Sequence, residues 1–161
     1  MKTPREADIH SLTLKSRHDD VEKLHDFLRA VAHDFFGDHV DQELVGSVIL
    51  SVHEVFTNIV RHAYPDGTDD EVVFRCIPTQ KGVVIEVVDH GVEFNPLENA
   101  REPDTTIIDA LENVNDLLEL DENQIIGGYG IPIIQAAATS TRYRRSESGE
   151  NHLYMYFKYP Q

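Results

Sequence analysis

Short stretches of alternating apolar and polar residues recur along the chain, a pattern typical of half-buried β-strands. Residues 8–15 (DIHSLTLK) alternate imperfectly and predict an edge strand. The stretches 71–77 (EVVFRCI) and 82–89 (GVVIEVVD) are rich in β-branched residues and predict a hairpin closed by residues 78–81. This part of the chain therefore contributes at least three strands.

Two other stretches repeat their apolar residues every three to four positions, as amphipathic helices do. The first follows Asp19 or Asp20, either of which can cap it, and the second runs from about 41 to 63 before a Tyr-Pro-Asp-Gly turn at 64–67. The apolar stripe of the first helix consists of Val21, Leu24, Phe27, Leu28 and Val31. The apolar face of the second consists of Ile49, Val52, Phe56, Ile59 and Ala63.

The order of the predicted elements indicates the fold class. After a weakly patterned stretch at 95–126, the sequence predicts a short helix at 131–139 and a closing hairpin of STRYRR (140–145) and HLYMYFKY (152–159), with Gly149 in its turn. A strand, two helices, a hairpin, a helix and a hairpin predict an α+β two-layer sandwich, with a mostly antiparallel mixed sheet covered on one face by helices. We expect one domain spanning 1–161.

Charge restricts the classes of partner. The chain carries 29 acidic against 14 basic residues, a net charge of −15. A polyanion would repel nucleic acid, so we expect no direct nucleic-acid binding and a basic patch on a protein as the natural counterpart. No apolar run is long enough to predict a membrane span, and the cytoplasm is the expected location. Cys76, the only cysteine, lies in a strand pattern that predicts a buried thiol.

The second helix carries a polar face that raises the question of function. Its residues are Ser47, Ser51, Glu54, Asn58, Arg61 and His62. A solvated helix face accounts for most such patterns, but asparagine is a poor helix former. A zinc-protease site is excluded, because His53-Glu54 lacks the second histidine at position 57. Glu54 and Asn58, one turn apart, instead suit a Mg²⁺ ligand beside a carboxylate that orients or deprotonates a nucleophile.

Two further motifs follow in the chain. Asp89-x-Gly91 ends a buried strand, where the carboxylate can accept a hydrogen bond from an exocyclic amine and the glycine allows close backbone approach. GGYGIPII (127–134) places three glycines before a helix, an arrangement that favours phosphate. No Lys-Ser/Thr follows it as in a P-loop. Each motif alone is also compatible with a simple turn or loop.

Together and in this order, the three motifs resemble the ATP-binding fold shared by gyrase, Hsp90, MutL and the histidine kinases. The resemblance covers residues 8–158. The phrase EVFTNIVRHAY (54–64), the Asp-x-Gly-x-x-Phe-x-Pro string at 89–96 and the ending LYMYFK (153–158) look most like the bacterial anti-sigma-factor serine kinases of the RsbW type.

This resemblance implies roles for individual residues. It implies that Glu54 is the general base and that Asn58 is the Mg²⁺ ligand, with Arg61 and His62 near the phosphates or the lid. It implies that Asp89 reads adenine beside Gly91, and that residues 95–126 form a lid over the nucleotide. The implied phosphate-contacting loop consists of Gly127, Gly128, Tyr129, Gly130 and Ile131.

The resemblance further implies a serine kinase that depends on ATP and Mg²⁺. Its implied substrate is an anti-sigma-factor antagonist of the STAS type, and its implied second partner is a sigma factor that it sequesters. The resemblance also implies that a homodimer is possible. Glu93, Pro132 and the acidic lid depart from the common pattern and leave a second hypothesis open, a non-catalytic ATP-binding or protein-binding module of the same fold. A histidine kinase ranks last, because residues 1–18 leave no room for a dimerisation helix.

Overall fold

The computed structural model describes residues 9–37, 41–65, 69–93 and 137–160. Five strands and two long helices make up these parts of the chain. The strands are β1 (His10–Lys15), β2 (Glu71–Pro78), β3 (Gly82–Asp89), β4 (Ser140–Arg145) and β5 (Asn151–Lys158). The helices are α1 (Val21–Phe36) and α2 (Gln42–Asn58), and α2 continues into a π-helical segment, Ile59–Ala63.

The five strands form one sheet in the order β1-β2-β3-β5-β4, and each neighbouring pair is antiparallel. Both predicted hairpins are present, and β1 lies at an edge as predicted. Gly149 adopts a φ of 86° in the turn of the second hairpin, a conformation that favours glycine. The register places Asp89 of β3 opposite Asn151 of β5, and Asn151 opposite Arg145 of β4.

Both helices pack on one face of the sheet, which confirms the predicted α+β two-layer sandwich. The apolar face predicted for the second helix is buried in full, from Ile49 to Ala63. At its centre the rings of Phe56 and Phe74 meet edge to face at 5.6 Å. Each such fully buried side chain stabilises the fold by about 1.5–3 kcal/mol. Cys76 belongs to this core, as predicted, and burial raises the pKa of its thiol to about 12.

The helix ends differ in part from prediction. Asp41 caps α2, because its side chain accepts a hydrogen bond of 2.8 Å from the backbone N–H of Leu44. Asp20 occupies the N-cap position of α1, but its carboxylate accepts bonds from the backbone of Lys15 and from Lys23 instead of capping. Asp20 therefore stands at the predicted cap position, but the prediction that its side chain caps the first helix is wrong.

The second helix is not α-helical to its end. Its last five residues, Ile59–Ala63, form a π-helix, whose wider i→i+5 turns shift side chains relative to an ideal α-helix. The combined stretch Gln42–Ala63 is long and apolar enough to cross a membrane by length and composition, because it contains an 18-residue window of mean hydropathy 1.3. However, 67% of that window is buried inside the protein, as in a core helix.

Candidate functional site

An open cleft lies between the end of α2 and the strands β3, β4 and β5, with about 450 Å³ of empty space when the open solvent at its mouth is included. Its walls are mostly apolar, and three polar side chains enter it from different elements: Asn58, Asp89 and Asn151. The other lining residues within the described ranges are Val55, Ile59, Ala63, Val87, Val92, Tyr143 and Leu153. An apolar cleft with a few convergent polar groups is the usual form of a small-molecule site.

Asn58 enters the cavity from the last position of α2. Its side chain is half-buried and makes no hydrogen bond within the structure described. In an open cleft this amide is accessible to a ligand or to water. The amide oxygen is a hard donor of the kind Mg²⁺ accepts, and Mg²⁺ keeps most of its ligands as waters and phosphate oxygens. The residue present therefore fits the predicted magnesium ligand.

Asp89 stands at the end of β3 on the opposite wall and is only 6% exposed. Its Oδ1 accepts hydrogen bonds from the backbone N–H of Gly91 at 2.9 Å and from the Asn151 amide at 3.0 Å. Oδ2 has no partner within the structure described. Burial raises the pKa of the Asp89 carboxyl, against the opposing effect of these two donors. One fixed oxygen and one free oxygen suit an acceptor for an exocyclic amine.

Asn151 organises this wall, although no local sequence pattern marks it as a site residue. Its Nδ2 donates to Asp89 Oδ1 and to the carbonyl of Val92, both at 3.0 Å. Its Oδ1 accepts from the Tyr143 hydroxyl at 2.6 Å and from Arg145 Nη1 at 2.8 Å. Asp89 and Asn151 are 62 positions apart, and only strand pairing brings them together.

Gly91 is required by packing. A Cβ at this position would lie 2.5 Å from both Cβ and O of Ala63, closer than real atoms approach. The next residue, Val92, donates its N–H to that same Ala63 carbonyl at 2.8 Å. In addition, the backbone N–H of His90 donates to the hydroxyl of Tyr64 at 3.1 Å. The absence of a side chain at Gly91 thus allows the turn after β3 to pack against the end of the helix. The sequence predicted only that this glycine allows a close approach to a flat ring.

Val92 completes the mouth of the cavity. It is 47% exposed, the one large apolar side chain so exposed within the described residues. An exposed valine at the rim of an apolar cleft offers a surface to the face of a planar ring. Glu93, which follows it, is exposed to solvent.

The predicted polar face of the second helix is not a solvated surface. Glu54 is 4% exposed and Ser51 is fully buried, and only His62 on this face is exposed. Glu54, Arg61 and His62 do not line the cavity within the structure described, although Glu54 lies one turn before Asn58. Arg61 and His62 fall in the π-helical segment, where their directions depart from the ideal wheel. Arg61 is half-buried and has no ion pair within the described ranges.

The remaining predicted elements fall outside the described residues. These are the lid at 95–126 and the phosphate loop formed by Gly127, Gly128, Tyr129, Gly130 and Ile131. Most of the predicted short helix at 131–139 and the last two residues of the turn at 64–67 also lie there. Their roles stay predictions.

Comparison with known proteins identifies the family to which this chain belongs. A family model described as "Histidine kinase-like ATPase domain" matches residues 14–157. The chain therefore belongs to the histidine kinase-like ATPase domain family, and this membership implies ATP binding. No match was found among curated protein sequences.

Among solved structures, a chain of the SiaB–SiaC complex from Pseudomonas aeruginosa is similar to this one. The TM-score is 0.58 and the identity is 14% over 91% of this chain and 88% of that chain. At such an identity the likeness concerns the fold. It agrees with the two-layer sandwich described above.

Proposed function

We propose that this protein is an ATP-dependent serine kinase that acts on a protein partner. One observation carries the proposal: the Asn58 amide, which has no hydrogen bond among the described residues, and the Asp89 carboxylate, bonded there through one oxygen, line the same apolar cavity. Asp89 Oδ2 would accept a hydrogen bond from the exocyclic amine of adenine. Asn58 would hold a Mg²⁺ ion, which when bound neutralises charge on the phosphates.

Glu54 is the proposed base. It is buried one helical turn before Asn58, and its proximity to the proposed Mg²⁺ ligand in the chain supports this role. In the proposed reaction the serine oxygen bonds to the γ-phosphorus and the bond from that phosphorus to the β–γ bridging oxygen breaks. ADP leaves, and the serine proton passes to Glu54. Arg61, with no ion pair in the described ranges, is available to the transferred phosphoryl group.

The proposed substrate is a serine on an anti-sigma-factor antagonist of the STAS type, and the proposed second partner is a sigma factor. The resemblance of residues 54–64, 89–96 and 153–158 to the anti-sigma-factor kinases supports both. The fold shared with a chain of the SiaB–SiaC complex, itself an assembly of two proteins, supports a protein partner. A homodimer in the cytoplasm is part of the same proposal.

The test is transfer of label from γ-labelled ATP to a purified antagonist in the presence of Mg²⁺. We expect Glu54→Gln to lower transfer by about 10²–10⁴-fold while ATP binding is kept, because only the proton acceptor is lost. Glu43→Gln is the matched control, since Glu43 is exposed in the first turn of the same helix. Transfer unchanged in Glu54→Gln would contradict the role of Glu54.

A second candidate is a module of the same fold that binds ATP without transferring phosphate. Glu93 favours it, because an exposed anion beside the rim residue Val92 opposes an incoming triphosphate. ATP binding by calorimetry with no labelled product on any serine-bearing partner would select this candidate over the kinase.

A further inference from the structure

Strand β4 presents its alternate side chains to opposite faces of the sheet. Tyr143 and Arg145 lie on the same face as Asn151, and both donate hydrogen bonds to its Oδ1. Arg142 and Arg144 therefore lie on the face that α1 and α2 do not cover, and both are exposed. β4 is also an edge of the sheet, paired with β5 on one side only within the described strands.

Residues directly opposite in an antiparallel pair share a face, so the register identifies the neighbours of these arginines. Arg142 lies opposite Tyr154, Arg144 opposite His152, and Tyr156 opposite Ser140. The intervening residues of β5 belong to the core beneath the helices. We name the surface formed by Arg142, Arg144, Tyr154, Tyr156 and Lys158 the outer β4–β5 face.

The three cations of the outer β4–β5 face are free. Their side chains make no hydrogen bond and no ion pair within the structure described, although the chain has 29 acidic residues for 14 basic ones. Two carboxylates near this face already have partners. Glu86 accepts from Arg75 at 2.9 Å and lies 3.0 Å from His152 Nδ1, and Glu150 lies 3.0 Å from His152 Nε2. The face thus has a local excess of positive charge on a protein of net charge −15.

The aromatic part of this face is held in place before any partner arrives. The rings of Tyr154 and His152 stack with centroids 6.2 Å apart and an angle of 14°. The imidazole is fixed in turn, because each ring nitrogen lies 3.0 Å from a carboxylate oxygen, one of Glu86 and one of Glu150. A fixed tyrosine loses little side-chain entropy on binding, and tyrosine and arginine are the residues enriched at protein interfaces.

We propose that the outer β4–β5 face is a docking surface for an acidic segment of a partner protein. Guanidinium groups bind carboxylates through two parallel hydrogen bonds, and the tyrosine rings supply contact area between them. Nucleic acid is the disfavoured occupant, because its charged backbone would extend past the three cations over the rest of a chain of net charge −15, whereas a short acidic segment needs only this face. The face lies on the opposite side of the sheet from the helices, so the proposal does not depend on phosphate transfer.

The probe is a fluorescein-labelled peptide of alternating glutamate and serine, about ten residues long, which when extended matches a strand in length. Anisotropy titrations compare the native chain with Arg142→Glu/Arg144→Glu. The control is Lys23→Glu/Arg29→Glu, which makes the same change in charge at two exposed positions of α1. Arg142→Ala/Arg144→Ala is measured too, and thermal melts and ATP binding verify that all variants fold.

We expect the charge reversal Arg142→Glu/Arg144→Glu on β4 to weaken peptide binding by about tenfold or more, and the alanine pair to weaken it less. The charge reversal on α1 should leave the affinity for the peptide within about twofold of that of the native chain. Equal weakening by the α1 pair would overturn the proposal, since it would reflect overall charge alone. Tighter binding of a single-stranded oligonucleotide of equal length would overturn it in favour of nucleic acid. A change in oligomeric state on β4 reversal, with unchanged peptide binding, would assign the face to a second copy of the chain instead.

Discussion

Asn151 donates a 3.0 Å hydrogen bond from Nδ2 to Oδ1 of Asp89, its partner in the register of β3 and β5. The bond occupies Oδ1, while Oδ2 has no hydrogen bond among the described residues. Because Asn151 bonds Tyr143 and Arg145 through its other terminus, a single amide connects three strands at the wall of the site. The behaviour of this wall can be tested directly.

Replacing Asp89 by asparagine should weaken ATP binding by about 10–100-fold, as expected for a lost charge-assisted hydrogen bond. The new amide oxygen can keep the bonds from Gly91 and Asn151, so the fold is retained, but an NH₂ group now faces the adenine amine. Calorimetry with ATP and GTP measures the effect, and Asp26→Asn, exposed on α1, is the control. Equal ATP affinity in Asp89→Asn and the native chain would refute the adenine role of Asp89.

Asp89 should also make stability depend on pH. Burial raises its pKa above the ordinary value of 3.8, so the folded state holds the proton more tightly than the unfolded state. The stability that this proton contributes is fully present below 3.8 and is lost as pH rises through the higher folded value. The free energy of unfolding of Asp89→Asn relative to the native chain should therefore increase with pH across this window. Urea titrations without nucleotide measure it, and a difference that is flat in pH would contradict the prediction.

Asn151→Asp should destabilise the protein. The substitution places a second carboxylate next to Asp89 Oδ1, and two buried like charges cannot both ionise without cost. We expect a loss of about 1–3 kcal/mol in the free energy of unfolding near neutral pH, partly restored on acidification. Ser148→Asp, in the exposed turn of the same hairpin, is the matched control and should change stability little.

Gly91→Ala should destabilise by about 1–3 kcal/mol, because the new methyl group would overlap Ala63. Part of the overlap is with the Ala63 side chain and part with its carbonyl oxygen, so Ala63→Gly should relieve only the first part. A double-mutant cycle by chemical denaturation measures this coupling. Strict additivity of the two substitutions would show that the steric explanation is wrong.

Cys76 should be unreactive in the folded protein. It is buried, and the pKa of its thiol is raised to about 12, so thiolate is scarce at neutral pH. An aromatic disulfide reagent should label it slowly in native buffer and fully in denaturant. Rapid stoichiometric labelling without denaturant would contradict this.

Local patterns were sufficient to predict most of the fold. The hairpins, the edge position of β1 and the buried face of α2 follow from side-chain periodicity and turn residues, which act over a few positions. Asn58 and Asp89 each stand at the end of an element in a short motif, and the packing of α2 on the sheet brings them to one cavity. Their roles in nucleotide binding stay predictions.

The missed features depend on distant contacts. No local sequence pattern marks Asn151, because its role depends on Asp89, the residue opposite it in another strand. Burial of Glu54 and Ser51 could not be read from a helical wheel, because a polar face looks solvated until the surrounding chain is placed. The π-helical turn at 59–63 likewise has the same apolar spacing as an α-helix.

The contact between Gly91 and Ala63 has a consequence for the entropy of ligand binding. The bonds from Val92 to Ala63 and from His90 to Tyr64 connect the turn after β3 to the helix that bears Asn58. These two walls of the cavity are therefore preorganised relative to each other, which lowers the entropy cost of ordering them when a ligand binds.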